Sequence, residues 1–235
     1  MPQRSVVMIG TSLVVASLAL TACGSRDSDT GSDSASSGDK VVKIGVIAPL
    51  TGDLSALGLG IKNSVDLAIK EANDKGTIPG WTIELAAEDD EAKPDVGKNA
   101  ATKLAGDDAV AGVVGTLNSS VALQTQPVLA AANIIQVSPA NTNPALTKGD
   151  DGKRLYPTYF RTCTTDAVQG PFAAQYLLGA GITKVATVND KKAYGQGLVT
   201  AFEAEFKKGG GEIVASETIN ADDTTKDYSA VIAAL

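Results

Sequence analysis

The chain has 235 residues, of which 43% are hydrophobic and 20% are charged, and its 27 acidic against 20 basic side chains give a net charge of -7. This composition is typical of a globular protein, and the acidic balance argues against nucleic acid as a partner. Histidine is absent and only two cysteines are present, which excludes Ser-His-Asp and Cys-His triads, His-based zinc sites and all-thiolate zinc sites.

Residues 1–22 have the features of a signal peptide. Arg4 supplies an early positive charge, and the apolar run from Val6 to Leu20 is shorter than the roughly 20 residues that a membrane-spanning helix needs. Small residues then precede Cys23, and this stretch resembles the lipobox of bacterial lipoproteins. We expect cleavage before Cys23 and lipidation of its thiol, and an uncleaved N-terminal anchor is the alternative.

Residues 23–40 are predicted to be a flexible tether, because they are rich in Ser, Gly and Asp and contain no large apolar residue after the cysteine. The aspartates do not follow the EF-hand order, since Gly31 stands where that loop needs Asp or Asn. We therefore expect no calcium site, and no other metal or cofactor. With Cys23 lipidated, Cys163 has no disulfide partner and is predicted to be a buried free thiol.

From Val41 onward, strand and helix patterns alternate with short connections, which predicts an α/β fold with a parallel sheet and helices on both faces. The predicted strands lie at 41–48, 82–87, 109–114 and 134–137. Of the helices between them, the second begins at Pro94 and the third has Ser119 as its N-cap.

A polar loop from Pro139 to Lys153 interrupts this alternation, and an extended stretch from Tyr156 to Thr162 follows it. A second series then comprises a helix at 166–178, a strand at 184–189, a helix at 194–208, a strand at 212–218 and a helix that opens at Asp227. We expect two lobes, an N-terminal lobe at 41–162 and an incomplete second lobe at 163–235.

Six motifs occur in order along this region: KIGVIAPLTGDLSALG (43–58), EDDEAKP (88–94), VGTLNSS (114–120), VSPANTNPALT (137–147), FRTCTTDAVQGP (160–171) and NDKKAYGQGL (189–198). On these motifs, the chain from Val41 to Leu235 resembles the type I periplasmic binding proteins, and among them the leucine/isoleucine/valine-binding proteins of branched-chain amino acid ABC transporters. The resemblance implies two α/β lobes that close on an amino acid held between them, with no chemistry performed on it.

The resemblance also implies where the protein is located and which partners it has. The protein is expected to be extracytoplasmic and held to the outer face of the cell membrane through its lipid anchor alone. Its ligand is expected to be a small amino acid or amide, most simply a branched-chain aliphatic amino acid. ABC permease subunits are the expected receivers of that ligand.

Asn118, Ser119 and Ser120 lie between the end of a predicted strand and the start of the next predicted helix. Backbone N–H groups and the positive end of the helix dipole therefore converge there and favour a carboxylate. The alternative is that Ser119 only caps the helix. The resemblance implies that Ser119 holds the ligand's α-carboxylate, while the Ala140 carbonyl and the Thr142 hydroxyl position its polar head. Asn118 and Asn141 are included as further candidate ligand-binding residues.

Three other features bear on the ligand. The resemblance implies that Tyr194, from the second series, presses on the ligand after closure, although an aromatic residue at a helix start is the alternative. Leu57 stands where relatives often carry an aromatic side chain over the pocket, which leaves the preferred ligand size open. Relatives continue well beyond the position of Leu235 and supply an acidic partner for the ligand's ammonium. The chain is therefore expected to be a fragment, a split gene model or a truncated product.

Two other functions fit parts of the sequence. A dinucleotide-binding enzyme would use Gly58 and Gly60 before a helix, but Asn63 occupies the third glycine position and the preceding strand ends too early. We therefore expect no enzyme. A ligand-sensing module of the same fold, acting on a signalling partner, remains open, although a lipid anchor without a transmembrane helix favours transport.

Overall fold

The computed structural model describes residues 40–149, 152–220 and 227–235. The predicted signal peptide, the predicted lipidation site Cys23 and the tether up to residue 39 lie outside the described residues. Strands and helices alternate through the described part, and the predicted α/β fold is confirmed.

The described strands are β1 (Lys40–Ala48), β2 (Trp81–Asp89), β3 (Val110–Gly115), β4 (Ile135–Ser138), β5 (Tyr159–Arg161), β6 (Lys184–Asn189) and β7 (Glu212–Thr218). The described helices are α1 (Ser55–Asp74), α2 (Pro94–Ala105), α3 (Ser119–Ala131), α4 (Asp166–Gly179), α5 (Ala193–Lys208) and α6 (Ser229–Ala234). A short 3-10 turn spans Pro144–Leu146. The predicted elements agree with these within a few residues at each end.

Two parallel sheets organise these elements. Five strands form the first sheet in the order β2-β1-β3-β4-β5, and β6 pairs with β7 in the second. Because β2 and β3 lie on opposite sides of β1, the connections that leave β1 and β3 diverge and open a crevice at the carboxyl ends of these strands. The division into lobes at residue 162 stays a prediction.

The core is centred on β1, where Val46, Ile47 and Ala48 are fully buried. A central strand of a parallel sheet is covered on both faces, which explains the apolar run from Ile44 to Ala48 in its second half. The main cluster of buried side chains joins this strand to α2, β3 and α3 and consists of Ile47, Ala100, Ala101, Leu104, Val110, Val113, Leu129 and Ile134. A smaller cluster of Ala122, Leu146 and Tyr159 supports the loop after β4.

Two local predictions need correction. Asn118, not Ser119, is the N-cap of α3, because the Asn118 carbonyl accepts the first bonds of the helix, from the amides of Val121 and Ala122 at 3.1 Å each. Ser119 is the first helical residue. Cys163 is a free thiol as predicted, but it is only half-buried.

Among the helices of the described residues, none combines the length and the apolar character needed to cross a bilayer.

Candidate functional site

A cavity of about 340 Å³ lies at the carboxyl ends of β1, β3 and β4. Its walls are formed by Leu54, Leu57, Leu117, Asn118, Ser119, Ala140, Thr142, Asp190 and Tyr194. The loops after three strands of the first sheet supply most of these residues. Asp190 comes from the β6–α5 connection and Tyr194 from the first turn of α5. The cavity therefore occupies the crevice where open α/β sheets bind ligands.

The amino end of α3 forms one wall of the cavity. Ser119 is 2% exposed, and its Oγ accepts a hydrogen bond from the backbone amide of Asn143 at 3.3 Å. The amides of Ser119 and Ser120 precede the first hydrogen bonds of the helix, so they are not used by the helix itself. Together with the helix dipole, these donors make this wall suited to a carboxylate.

The loop after β4 forms the next wall. Ser138 Oγ accepts hydrogen bonds from the amides of Ala140 at 3.1 Å and Asn141 at 2.9 Å, and it donates to the Thr116 carbonyl at 2.9 Å. These bonds fix the loop against the β3–α3 connection. Thr142 Oγ1 is buried and has no hydrogen-bond partner within the described parts of the chain. It is therefore an open acceptor and donor beside the cavity.

Asn141 is not part of the cavity wall. Its side chain is fully buried, where Nδ2 donates to the Leu117 carbonyl at 2.9 Å and Oδ1 accepts from the Tyr159 hydroxyl at 3.0 Å. Its carbonyl accepts hydrogen bonds from Arg161 at 2.7 Å and from the Cys163 thiol at 3.3 Å. Asn141 thus joins the two loops that carry the cavity residues, and any effect of this residue on a ligand would be indirect.

The β6–α5 connection closes the cavity on the other side. Asp190 Oδ1 accepts a hydrogen bond from the Lys192 amide at 3.0 Å, which fixes the carboxylate at the start of α5. Tyr194 is 41% exposed, and its hydroxyl accepts a hydrogen bond from Gln169 Nε2 at 3.4 Å. Asn143 Nδ2 donates to the Ala193 carbonyl at 2.9 Å, so the loop after β4 is tied directly to α5.

The structure brings together five of the six candidate ligand-binding residues, namely Asn118, Ser119, Ala140, Thr142 and Tyr194. Leu57, singled out for its position over the pocket, also lines the cavity and is 58% exposed. Sequence reasoning missed Asp190, Leu54 and Leu117. Asp190 could have been found, because it directly follows a strand and the carboxyl ends of parallel strands form the binding edge of the sheet.

The cavity can hold a small zwitterion. The donors of α3 suit a carboxylate, while the Ala140 carbonyl, the Thr142 hydroxyl and the Asp190 carboxylate suit an ammonium. The side chains of Leu54, Leu57 and Leu117 form an apolar part of the wall, which suits an apolar side chain of the ligand.

A second cavity of about 480 Å³ shares Leu54, Asn118 and Asp190 with the first cavity. Its other wall residues include the charged Asp53, Glu91 and Lys192. No group of side chains suited to a metal ion occurs in the described ranges.

A family model described as periplasmic binding protein matches residues 41–235. The Leu/Ile/Val-binding protein BraC3 of Rhizobium johnstonii is 41% identical to the chain over 191 residues, which cover 81% of this chain and 50% of BraC3. The chain thus spans about half the length of the curated relatives it matches.

Solved structures share the fold and differ in what they hold. LivJ from Streptococcus pneumoniae in complex with isoleucine superposes with a TM-score of 0.71 at 29% identity, over 83% of this chain and 53% of LivJ. A solute-binding protein of an ABC transporter from Rhodopseudomonas palustris in complex with 3,4-dihydroxybenzoic acid has a TM-score of 0.70 at 29% identity, over 82% of this chain and 50% of that chain. Similar structures therefore hold two chemical classes of ligand.

Proposed function

Because the chain belongs to the periplasmic binding protein family, we propose that it is a solute-binding protein that holds a free amino acid with an apolar side chain, of the leucine type, between α3 and α5. The names of its relatives support this ligand class, since BraC3 is a Leu/Ile/Val-binding protein and LivJ is seen with isoleucine. Capture and release require no catalytic group.

One observation carries the proposal: donors and acceptors lie on different walls of one small cavity. The amides and hydroxyl at Ser119 can hold the α-carboxylate, and the Ala140 carbonyl with the Thr142 hydroxyl can hold the α-ammonium. The leucine side chains in the remaining wall suit an aliphatic group. Tyr194 belongs to the part of the wall formed by α5 and would cover the ligand.

An aromatic acid is the second candidate, because the similar protein of Rhodopseudomonas palustris holds 3,4-dihydroxybenzoic acid. The charges of the cavity argue against it. A benzoate carries a net negative charge, whereas the wall contains the Asp190 carboxylate and no lysine or arginine. A zwitterion carries an ammonium that offsets this negative charge and is therefore the better match.

We further propose that the protein is held at the outer face of the membrane by a lipid on Cys23 and passes its ligand to ABC permease subunits. The sequence around Cys23 and the polar tether after it support the anchor. A sensor that passes closure on to a signalling partner is the alternative role for the same site. Both similar proteins are binding proteins of transporters, which favours transport.

A thermal-shift screen of the protein expressed from its complete gene tests the ligand class. Leucine, isoleucine and valine should each raise the melting temperature, because a ligand that binds only the folded state stabilises it. Two matched analogues serve as controls: 4-methylpentanoate, which lacks the ammonium of leucine, and leucinol, which lacks the carboxylate. Stabilisation by 3,4-dihydroxybenzoate but by none of the amino acids would replace the proposal with the second candidate.

A further inference from the structure

Asp166, the first residue of α4, is a carboxylate that the binding site described so far does not use. The residue is fully buried, and neither carboxylate oxygen has a hydrogen-bond partner in the part of the chain that the structure describes. Burying an unpaired charge is costly, so such a group is retained only where something else requires it. Burial raises the pKa of Asp166, and the nearby Thr142 hydroxyl and Arg161 guanidinium offset part of that rise.

The position of Asp166 is directly behind the cavity wall. Its amide donates to the Thr142 carbonyl at 2.9 Å, which places the two residues side by side. On the far side, Gly197 of α5 leaves room for the carboxylate, because a Cβ at that position would lie 3.2 Å from Asp166 Oδ2. Asp166 is absent from the cavity wall itself. Thr142 is the wall residue to which Asp166 is directly hydrogen-bonded.

The nearest cation does not neutralise Asp166 by direct pairing. The two terminal nitrogens of Arg161 donate to the Asn141 carbonyl at 2.7 Å, to the Asn143 carbonyl at 3.0 Å and to Thr147 Oγ1 at 2.7 Å. Its guanidinium thus holds the loop after β4. The Thr142 hydroxyl and Arg161 Nε are the two buried side-chain donors without a hydrogen-bond partner among the described residues. Of these two, only Thr142 belongs to a residue of the cavity wall.

A threonine hydroxyl has one donor proton and two acceptor lone pairs. When that proton is donated to Asp166, only the lone pairs remain for the cavity, and Thr142 becomes an acceptor. An ammonium group has three donors and no acceptor, so it matches this arrangement. The buried negative charge adds further attraction for an ammonium, because interactions of charges are stronger in a poorly solvated environment.

We propose that Asp166 is a positioning residue that orients the Thr142 hydroxyl as an acceptor and thereby selects ligands that carry an α-ammonium. The inference rests on the proposed function and names the residue that separates amino acids from acids without an amino group. A role of Asp166 limited to stabilising the start of α4 would change the stability of the protein but not this selectivity.

The test compares leucine with 4-methylpentanoate by calorimetric titration of the protein expressed from its complete gene. Asp166→Asn should weaken leucine binding at least tenfold and leave binding of 4-methylpentanoate within threefold. In a Thr142→Val background, where the hydroxyl is absent, Asp166→Asn should change leucine affinity by less than threefold. Asp95→Asn is the matched control, because Asp95 lies in the first turn of α2, away from the cavity, and both affinities should stay unchanged.

Three outcomes decide the matter. An unchanged ratio of the two affinities in Asp166→Asn, or effects of Thr142→Val and Asp166→Asn that multiply independently, would overturn the inference while the proposed function stands. Failure of the unsubstituted protein to bind leucine would overturn both. If Asp166→Asn does not fold, Asp166→Ser removes the same charge with a residue common at helix starts, and its affinities are judged by the same limits.

Discussion

Ser119 carries the carboxylate end of the proposed site, because it offers a hydroxyl beside the free amides at the start of α3. Ser119→Ala should weaken leucine binding by about 1.5 to 3 kcal/mol, the range for a hydrogen bond to a charged group. Ser120→Ala is the matched control, since Ser120 is the next residue and does not line the cavity. Calorimetric titration of both variants measures the difference, and equal affinities would remove Ser119 from the site.

Asp90 is a buried carboxylate whose ionisation lowers the stability of the folded protein. Burial, and to a smaller extent the charge of Asp89, raise the pKa of Asp90 to about 6, although Oδ1 accepts a hydrogen bond from the Ala92 amide at 2.8 Å. The folded protein therefore holds this proton more tightly than the unfolded chain. The free energy of unfolding should therefore fall as the pH rises from about 4 through 6. Ionisation of Asp90 alone should account for about 3 kcal/mol of this decrease.

Asp90→Asn should relieve that cost, because asparagine is neutral and its Oδ1 can keep the bond to Ala92. We expect the variant to be more stable than the unsubstituted protein at pH 7.5 and to lose this advantage at pH 4. Urea denaturation at the two pH values checks this, with the exposed Asp66→Asn on α1 as control. An advantage of the same size at both pH values would contradict the assignment.

At the scale of elements, the contact between α2 and α3 positions the binding end of α3. A Cβ at Gly97 of α2 would lie 2.3 Å from Val121 Cγ1 of α3, and Val121 is fully buried and stiff at its branched Cβ. Gly97→Ala should therefore destabilise the protein by about 1 to 3 kcal/mol despite the better helix propensity of alanine.

Gly60→Ala is the matched control, because Gly60 lies in α1 and a Cβ there would meet no atom within 4 Å. This variant should stabilise the protein by about 0.5 to 1 kcal/mol. Chemical denaturation of both variants gives the two values. If Gly97→Ala is as stable as Gly60→Ala, the helices are not packed as closely as the structure has them.

The elements were largely predictable from the sequence, since β6 and β7 were predicted with the bounds that the structure has and α2 begins at its proline. Apolar periodicity, prolines and glycines determine such features locally. The start of α3 was misplaced by one residue, because either Asn118 or Ser119 is an acceptable N-cap and only the backbone conformation decides between them.

Ser119 could be singled out because it follows the end of a strand, whereas Thr142 was named only through the resemblance to known binding proteins. Asn141 could not be placed from the sequence, because its burial depends on Tyr159 and Leu117, which belong to other segments. The location of Asp166 behind Thr142 depends likewise on how α4 packs against the loop after β4. Contacts between distant segments leave no periodic signal in the sequence.

At the scale of the whole molecule, the cavity takes its walls from both series of elements, and the Asn143–Ala193 hydrogen bond joins them. The proposed anchor lies outside the described residues, so its test is biochemical. Cys23→Ala should move the protein from the membrane fraction to the soluble fraction and abolish labelling by a radioactive fatty acid. Cys163→Ala, the matched control, should keep both. Labelling of Cys23→Ala at the level of the unsubstituted protein would disprove the lipoprotein assignment.

The most direct test of the proposed function is a crystal structure of the leucine complex, prepared from the protein expressed from its complete gene. We expect the α-carboxylate within hydrogen-bond distance of Ser119 Oγ and the first amides of α3. We expect the α-ammonium at the Ala140 carbonyl and Thr142 Oγ1, with Tyr194 against the ligand. Leucine bound elsewhere, or bound in this cavity with its carboxylate at Thr142 and its ammonium at α3, would disprove the proposed binding mode.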